Sequence, residues 1–150
     1  NMPFDDASFD VVYSNGVIHH IPQTAQVIDE IFRVLKPGGK AIIMVYRENS
    51  LRYWRNVYEI GLARGLLEEW SVGEIMSRTV ELSTSGARPL VKVYTSRQLR
   101  RLFKDFCNVN IYRRQMVASE VPNWLRFVPL TQLERLIGWN LIVKAVKPPA

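Results

Sequence analysis

Phe9-Asp10-Val11-Val12-Tyr13-Ser14-Asn15-Gly16, then Arg33-Val34-Leu35-Lys36-Pro37-Gly38-Gly39, then Lys40-Ala41-Ile42-Ile43-Met44-Val45-Tyr46: these three pieces decide the fold. The first is a β-branched and aromatic run closed by the turn signal Asn15-Gly16. Its near-continuous apolarity suits a strand buried on both faces of a parallel sheet. Between the pieces, Val27, Ile28, Ile31, Phe32, Val34 and Leu35 fall on one helical face, with Gln26, Asp29, Glu30 and Arg33 opposite. Pro22 suits the start of that helix, and Asp29 and Arg33 are spaced for an i, i+4 ion pair. Lys36-Pro37-Gly38-Gly39 stops the helix, and Lys40–Tyr46 follows at once as a second buried strand. Strand, helix, tight turn, strand is a βαβ unit, which predicts an α/β fold with a parallel sheet and a right-handed crossover.

Further along, residues 47–94 read differently. Asn49-Ser50 can cap a helix whose apolar stripe is Leu51, Trp54, Tyr58, Leu62 and Leu66, with Gly61 and Gly65 weakening it. Ser71 to Pro89 shows little periodicity and contains the loop signal Ser83-Thr84-Ser85-Gly86. The segment 47–94 is therefore expected to be an insertion of one or two helices and a loop. Ser96 then caps a helix carrying Leu99, Leu102, Phe103 and Phe106, whose other faces hold Arg97, Arg100, Arg101 and Lys104. A strand at Asn108–Arg113, a helix through Leu130, Leu133, Leu136 and Ile137, and a last strand at Trp139–Val146 complete the chain. The shortness of the connection between the last two strands predicts that they pair antiparallel.

At 150 residues, 47% hydrophobic and 23% charged, the chain has material for one sizeable core, which excludes a disordered tail or a disulfide scaffold. The single cysteine, Cys107, cannot form an internal disulfide, and following an apolar helix it is expected to be buried in a reducing, cytoplasmic setting. No apolar run approaches the ~20 residues that span a bilayer. The net charge of +6 is spread along the chain, which favours a solvated basic surface over a nucleic-acid partner. The opening at Asn1, with no lead-in before the first strand, reads as a chain cut at the front, and Lys147-Pro148-Pro149-Ala150 as a natural end.

The ordered set Met2-Pro3-Phe4, Ser8-Phe9-Asp10-Val11-Val12-Tyr13-Ser14-Asn15, His19-His20 and Arg33-Val34-Leu35-Lys36-Pro37-Gly38-Gly39 resembles class I S-adenosylmethionine-dependent methyltransferases, in particular their small-molecule branch called type 11. Gly138-Trp139-Asn140 resembles that family's closing hairpin. The resemblance is sharp over 1–46, looser over 95–147 and absent over 47–94. It implies a Rossmann-like three-layer α/β sandwich, of which this chain holds strands four to seven with the last one antiparallel. The family's glycine-rich loop after the first strand, its ribose-binding acid and its adenine-binding Asp before "PF" have no counterpart here. The N-terminal part of the domain is accordingly expected to be missing, and 47–94 to be the lid over the acceptor.

Open parallel sheets place ligands beyond the carboxyl ends of their strands, which here are Ser14-Asn15-Gly16 and Tyr46-Arg47. By resemblance, Met2 packs near the adenine, Ser14, Asn15 and Gly16 meet the methionine part of S-adenosylmethionine, and His19 and His20 stand at the lip of the pocket. His19 is grouped with the cofactor residues. A neutral His20 could serve as the general base that takes a proton from an acceptor hydroxyl or amine. Tyr46, Tyr53 and Trp54 are candidate acceptor contacts, against the alternative that such aromatics are core. Adjacent side chains diverge on a helix or strand, so His19 and His20 are not expected to share a metal, and none is expected elsewhere. The expected activity is in-line methyl transfer to a small molecule, which needs alignment more than acid-base work. The rival readings are a non-catalytic half-domain that binds or dimerises through an open sheet edge, a basic nucleic-acid binder, and a dehydrogenase on a nucleotide fold.

Overall fold

The computed structural model describes residues 2–81, 86 and 88–150. Among the described residues, five α-helices and five strands follow one another as β1 (Phe9–Asn15), α1 (Thr24–Val34), β2 (Leu35–Arg47), α2 (Leu51–Arg55), α3 (Val72–Thr79), β3 (Val93–Tyr94), α4 (Ser96–Leu102), β4 (Cys107–Arg114), α5 (Leu130–Ile137) and β5 (Asn140–Val146). One sheet has the order β1-β2-β5-β4. β1 runs parallel to β2, and β5 lies antiparallel to both β2 and β4. The two-residue β3 adds to β2 in parallel at Tyr46 and Arg47, beyond the last β1 partner at Met44. The βαβ unit and the antiparallel final strand are thus as expected. No helix among the described residues is long and apolar enough to cross a membrane.

The main core fills the space between α1, α4 and the sheet. Ile28 and Ile31 of α1 meet Ala41, Ile43 and Val45 of β2, Leu99 and Phe103 of the α4 end, and Leu141 and Val143 of β5. Each such aliphatic contributes roughly 1.5–3 kcal/mol of burial. A second, smaller core joins α2 to the end of the sheet through Tyr53, Val57, Met76, Val91 and Trp139.

Several local expectations change. β1 is not buried on both faces: Val11 is 51% and Tyr13 67% exposed, because they lie on the sheet face opposite the core against which Val12 packs. Arg33 does not pair with Asp29. Its guanidinium turns to Glu30 and Asp6 and donates to the carbonyls of Met2 and Phe4, which ties the segment before β1 to α1. That contact holds the Glu30 carboxyl down at about 2.

Ser50 caps α2 as expected, accepting from the Tyr53 N–H, and the helix runs on as a π-helical segment, Asn56–Leu62. Its buried face, however, is Tyr53, Val57 and Gly61, whereas Trp54, Tyr58 and Leu62 of the anticipated stripe face outward. Gly61 sits in that face because a Cβ there would stand 3.0 Å from Leu67 Cγ. The stretch without clear periodicity contains α3, opened by a capping box between Ser71 and Glu74. The cap of α4 is Thr95, one residue before the anticipated Ser96, again with a capping box, to Gln98. Cys107 is half-buried at the start of β4 rather than enclosed. The loop signal at Ser83–Ser85 lies outside the described residues.

Candidate functional site at the carboxyl ends of β1 and β2

Ser14, Asn15 and Gly16 end β1 beside Met44 of β2, and the Gly16 N–H donates to the Met44 carbonyl at 3.3 Å. Gly16 has φ +73°, which a residue with a Cβ rarely adopts. A single 3-10 turn, Ile18–His20, follows directly and buries Ile18 and His19. The His19 ring lies between His20, with centroids 4.1 Å apart, and Tyr46, 4.2 Å away. Tyr46 stacks in turn on Trp139 at 4.6 Å. A column of four rings therefore runs from the end of β1, past β2, to the start of β5.

The two histidines do not project apart as anticipated. They sit in a one-turn 3-10 segment that passes straight into extended Ile21, and this geometry folds their rings together. Glu81, just beyond α3, reaches down to the same point. One carboxylate oxygen lies 3.1 Å from His20 Nε2, and the other lies 3.7 Å from His19 Nε2 and accepts from the Tyr46 hydroxyl. His20 Nδ1 is 2.6 Å from the Leu90 carbonyl. A carbonyl only accepts, so Nδ1 carries the proton.

Burial holds His19 down to about 4; the charge of His20 acts in the same direction and Glu81 opposes it. His19 is therefore a neutral imidazole at pH 7, and neither ring nitrogen has a hydrogen-bond partner among the described residues. The Tyr46 hydroxyl is pushed well above its ordinary value, first by burial and then by its bond to Glu81, so it stays protonated. The His19 shift has a consequence for stability. Between its ordinary value of 6.5 and about 4, the unfolded chain binds a proton at this position that the folded chain does not. The His19 contribution is whole above pH 6.5 and is lost as the pH falls toward 4. Thermal unfolding of the His19→Gln variant is expected to show a shallower loss of Tm over that window than the parent. Equal slopes would remove His19 as the source.

Ser14 Oγ is buried with no hydrogen-bond partner among the described residues, and Asn15 is exposed beside it. Met2 is not brought to this place. Its N–H donates to Glu30 and its carbonyl accepts from Arg33, at the end of the β1–α1 unit where Ser8 meets Val34. Tyr46 is in the cluster; Tyr53 is 8% exposed in the second core; Trp54 is 54% exposed and touches the Tyr53 ring edge-on. The cluster residue that sequence reasoning missed is Glu81. The signal within reach was Ser71-x-x-Glu74, which marks the helix that carries Glu81 to its position. A cavity of about 930 Å³ is lined by Thr24, Ser77, Lys92 and Gln98 among others, and none of the anticipated site residues lines it.

Residues 1–43 match the methyltransferase domain family. The sterol 24-C-methyltransferase of Pneumocystis carinii is 30% identical over 126 residues, which is 72% of this chain and 33% of that protein. A sterol 4-C-methyltransferase of Caenorhabditis elegans is 30% identical over 110 residues, 68% of this chain and 33% of that protein. Among solved structures, an S-adenosylmethionine-dependent methyltransferase from Thermotoga maritima matches with a TM-score of 0.60 at 14% identity, covering 98% of this chain and 60% of that one. Phosphoethanolamine N-methyltransferase 2 of Haemonchus contortus, in complex with S-adenosyl-L-methionine, matches with a TM-score of 0.56 at 19% identity, covering 97% and 34%. The chain spans about a third of the length of these sterol methyltransferases. By sequence and by its Rossmann-like α/β fold, it is similar to the class I S-adenosylmethionine-dependent methyltransferases. S-adenosylmethionine is the cofactor of that class.

Proposed function

We propose that this chain supplies strands four to seven, the carboxyl-terminal part, of a domain that transfers a methyl group from S-adenosylmethionine to a small-molecule acceptor by in-line displacement. One observation carries the reading. The carboxyl end of β1 lies beside Met44, near the carboxyl end of its parallel neighbour β2, and there stand a buried Ser14 Oγ without a hydrogen-bond partner among the described residues and the positive-φ Gly16. Open α/β sheets bind ligands beyond such strand ends. A free hydroxyl and an uncrowded backbone are what a polar, elongated cofactor needs on one side, so the residues present fit part of it. When bound, S-adenosylmethionine supplies a methyl group already activated on a sulfonium.

The chain's own groups then have distinct tasks. Ser14 and Gly16 position the cofactor side. His20 holds Nδ1–H on the Leu90 carbonyl, so the ring is oriented and Nε2 is the atom that can take a proton from an acceptor hydroxyl or amine. That step requires Glu81 to move off Nε2. Tyr46 and His19 form the buried wall of the site. Residues 47–94 form the lid, with Trp54 as its outward-facing aromatic contact and Tyr53 as the buried residue that seats α2. The names of the relatives, which include sterol, phosphoethanolamine and demethylmenaquinone methyltransferases, support a small-molecule acceptor.

Binding of S-adenosylmethionine to the full-length protein, measured by calorimetry, tests this assignment. Ser14→Ala is expected to weaken binding about fivefold, the worth of roughly 1 kcal/mol for one neutral hydrogen bond. Unchanged affinity in a folded Ser14→Ala variant would remove Ser14 from the cofactor site. The second reading, a module that associates through its sheet edge, is supported by the outer edge of β1, which pairs with no strand among the described residues. It predicts a concentration-dependent dimer in sedimentation.

A further inference from the structure

The cluster of His19, His20 and Glu81 has a chemistry that the methyl-transfer reading leaves unused. One ligand atom from each of these residues falls within 4.8 Å of the others. His20 Nε2 lies 3.1 Å from one Glu81 oxygen and His19 Nε2 3.7 Å from the other, each close to the spacing that two ligand atoms of one small divalent ion keep. Ligand bonds of about 2.0–2.1 Å in tetrahedral geometry set neighbouring ligand atoms about 3.3 Å apart. We infer that His19 Nε2, His20 Nε2 and the Glu81 carboxylate form a binding site for a divalent first-row transition ion of the zinc type.

Two further observations support the site. His19 is fully buried, and its Nε2 points at Glu81 without a hydrogen bond to anything described. Such an orphaned nitrogen is costly unless something accepts its lone pair. The supporting contacts are also those that a metal site uses to fix its ligands. His20 donates from its other nitrogen to the Leu90 carbonyl, and the Glu81 carboxylate accepts from the Tyr46 hydroxyl. Two imidazoles and one carboxylate exclude calcium and magnesium, which take oxygen ligands, and suit zinc, cobalt, manganese or iron. Three protein ligands leave a fourth position open for water or a substrate atom.

Occupancy would tie the segment after α3 to the turn after β1. It would also take the His20 Nε2 lone pair, so metal binding and base action exclude each other. The site itself does not depend on the methyl-transfer reading, and its test reads no methyl transfer.

Full-length protein stripped with a chelator is titrated with Zn²⁺ alone by calorimetry, beside Glu81→Gln, His20→Ala and Tyr46→Phe, each checked for folding by circular dichroism. The expected result is one Zn²⁺ site that Glu81→Gln and His20→Ala abolish or weaken at least tenfold. Tyr46→Phe keeps all three ligands and is expected to weaken it about tenfold, the usual effect of losing a supporting hydrogen bond. No bound Zn²⁺, or binding that folded Glu81→Gln and His20→Ala variants leave unchanged, overturns the proposal. Should His20→Ala fail to fold, Glu81→Gln decides alone, since Glu81 is partly exposed and lies outside any helix.

Discussion

Gly138→Ala is expected to cost about 3 kcal/mol or more and to lower Tm on the order of 10 °C. A Cβ at this position would stand 2.3 Å from the Glu134 carbonyl oxygen and 2.7 Å from that of Arg114. Both obstacles are backbone, so neither can swing aside as a side chain would. Gly138 joins α5 to β5, and its own N–H donates to the obstructing Glu134 carbonyl. Relief requires α5 to part from β4, which disturbs the Trp139–Gln115 hydrogen bond and the placement of Trp139 under Tyr46. Its dihedrals, φ −58° and ψ 152°, are open to any residue, so the penalty is steric alone. Gly38→Ala is the control. There φ is +77° with nothing within 4 Å, and only left-handed strain of about 1–2 kcal/mol applies. Thermal unfolding of the two variants in the full-length protein should rank Gly138→Ala well below Gly38→Ala. The reverse order would contradict the close packing of α5 against β4.

The second large effect concerns chemistry. His20→Ala is expected to lower kcat by roughly 10²–10⁴, the range for loss of a positioned general base, with KM for the acceptor little changed. The imidazole is anchored through Nδ1 to the Leu90 carbonyl, which leaves Nε2 as the nitrogen the proposed base would use. Exogenous imidazole should restore part of the rate in this variant, because the deletion leaves room for a ring of the same size. A merely structural histidine would show no such rescue. Near-normal turnover in His20→Ala removes the base assignment, while the fold assignment stands on β1 and β2.

The βαβ unit was legible because its periodicities are strong and local. Ile28 and Ile31 announce the buried face of α1, and Lys36–Gly39 announces its end, without reference to the rest of the chain. Whether a strand is buried on one face or two depends on its neighbours, so the apolar run of β1 alone overstates its enclosure. On α2 two apolar stripes compete, Leu51-Trp54-Tyr58-Leu62 and Tyr53-Val57-Gly61. Size favoured the first. The second won because Gly61 admits Leu67 and Ile75 at close range, and the π-helical segment alters the spacing on which the first stripe depends. Tyr46 follows from a strand end, and the family resemblance points to His19 and His20. Glu81 follows from neither, since its partners lie far earlier in the chain and only tertiary packing brings α3 over them. The contact between the two histidine rings was equally hidden, because the 3-10 turn that creates it has no distinctive residue pattern.

The most direct measurement is methyl transfer itself. The full-length protein is incubated with S-adenosylmethionine carrying a labelled methyl group and with a panel of small acceptors that includes sterols, phosphoethanolamine and demethylated quinones. The account predicts label on one acceptor class, release of S-adenosylhomocysteine in equal amount, and loss of both in His20→Ala. Tight S-adenosylmethionine binding with no transfer to any acceptor, or no binding at all by a folded full-length protein, would contradict it and leave the edge-pairing module as the reading.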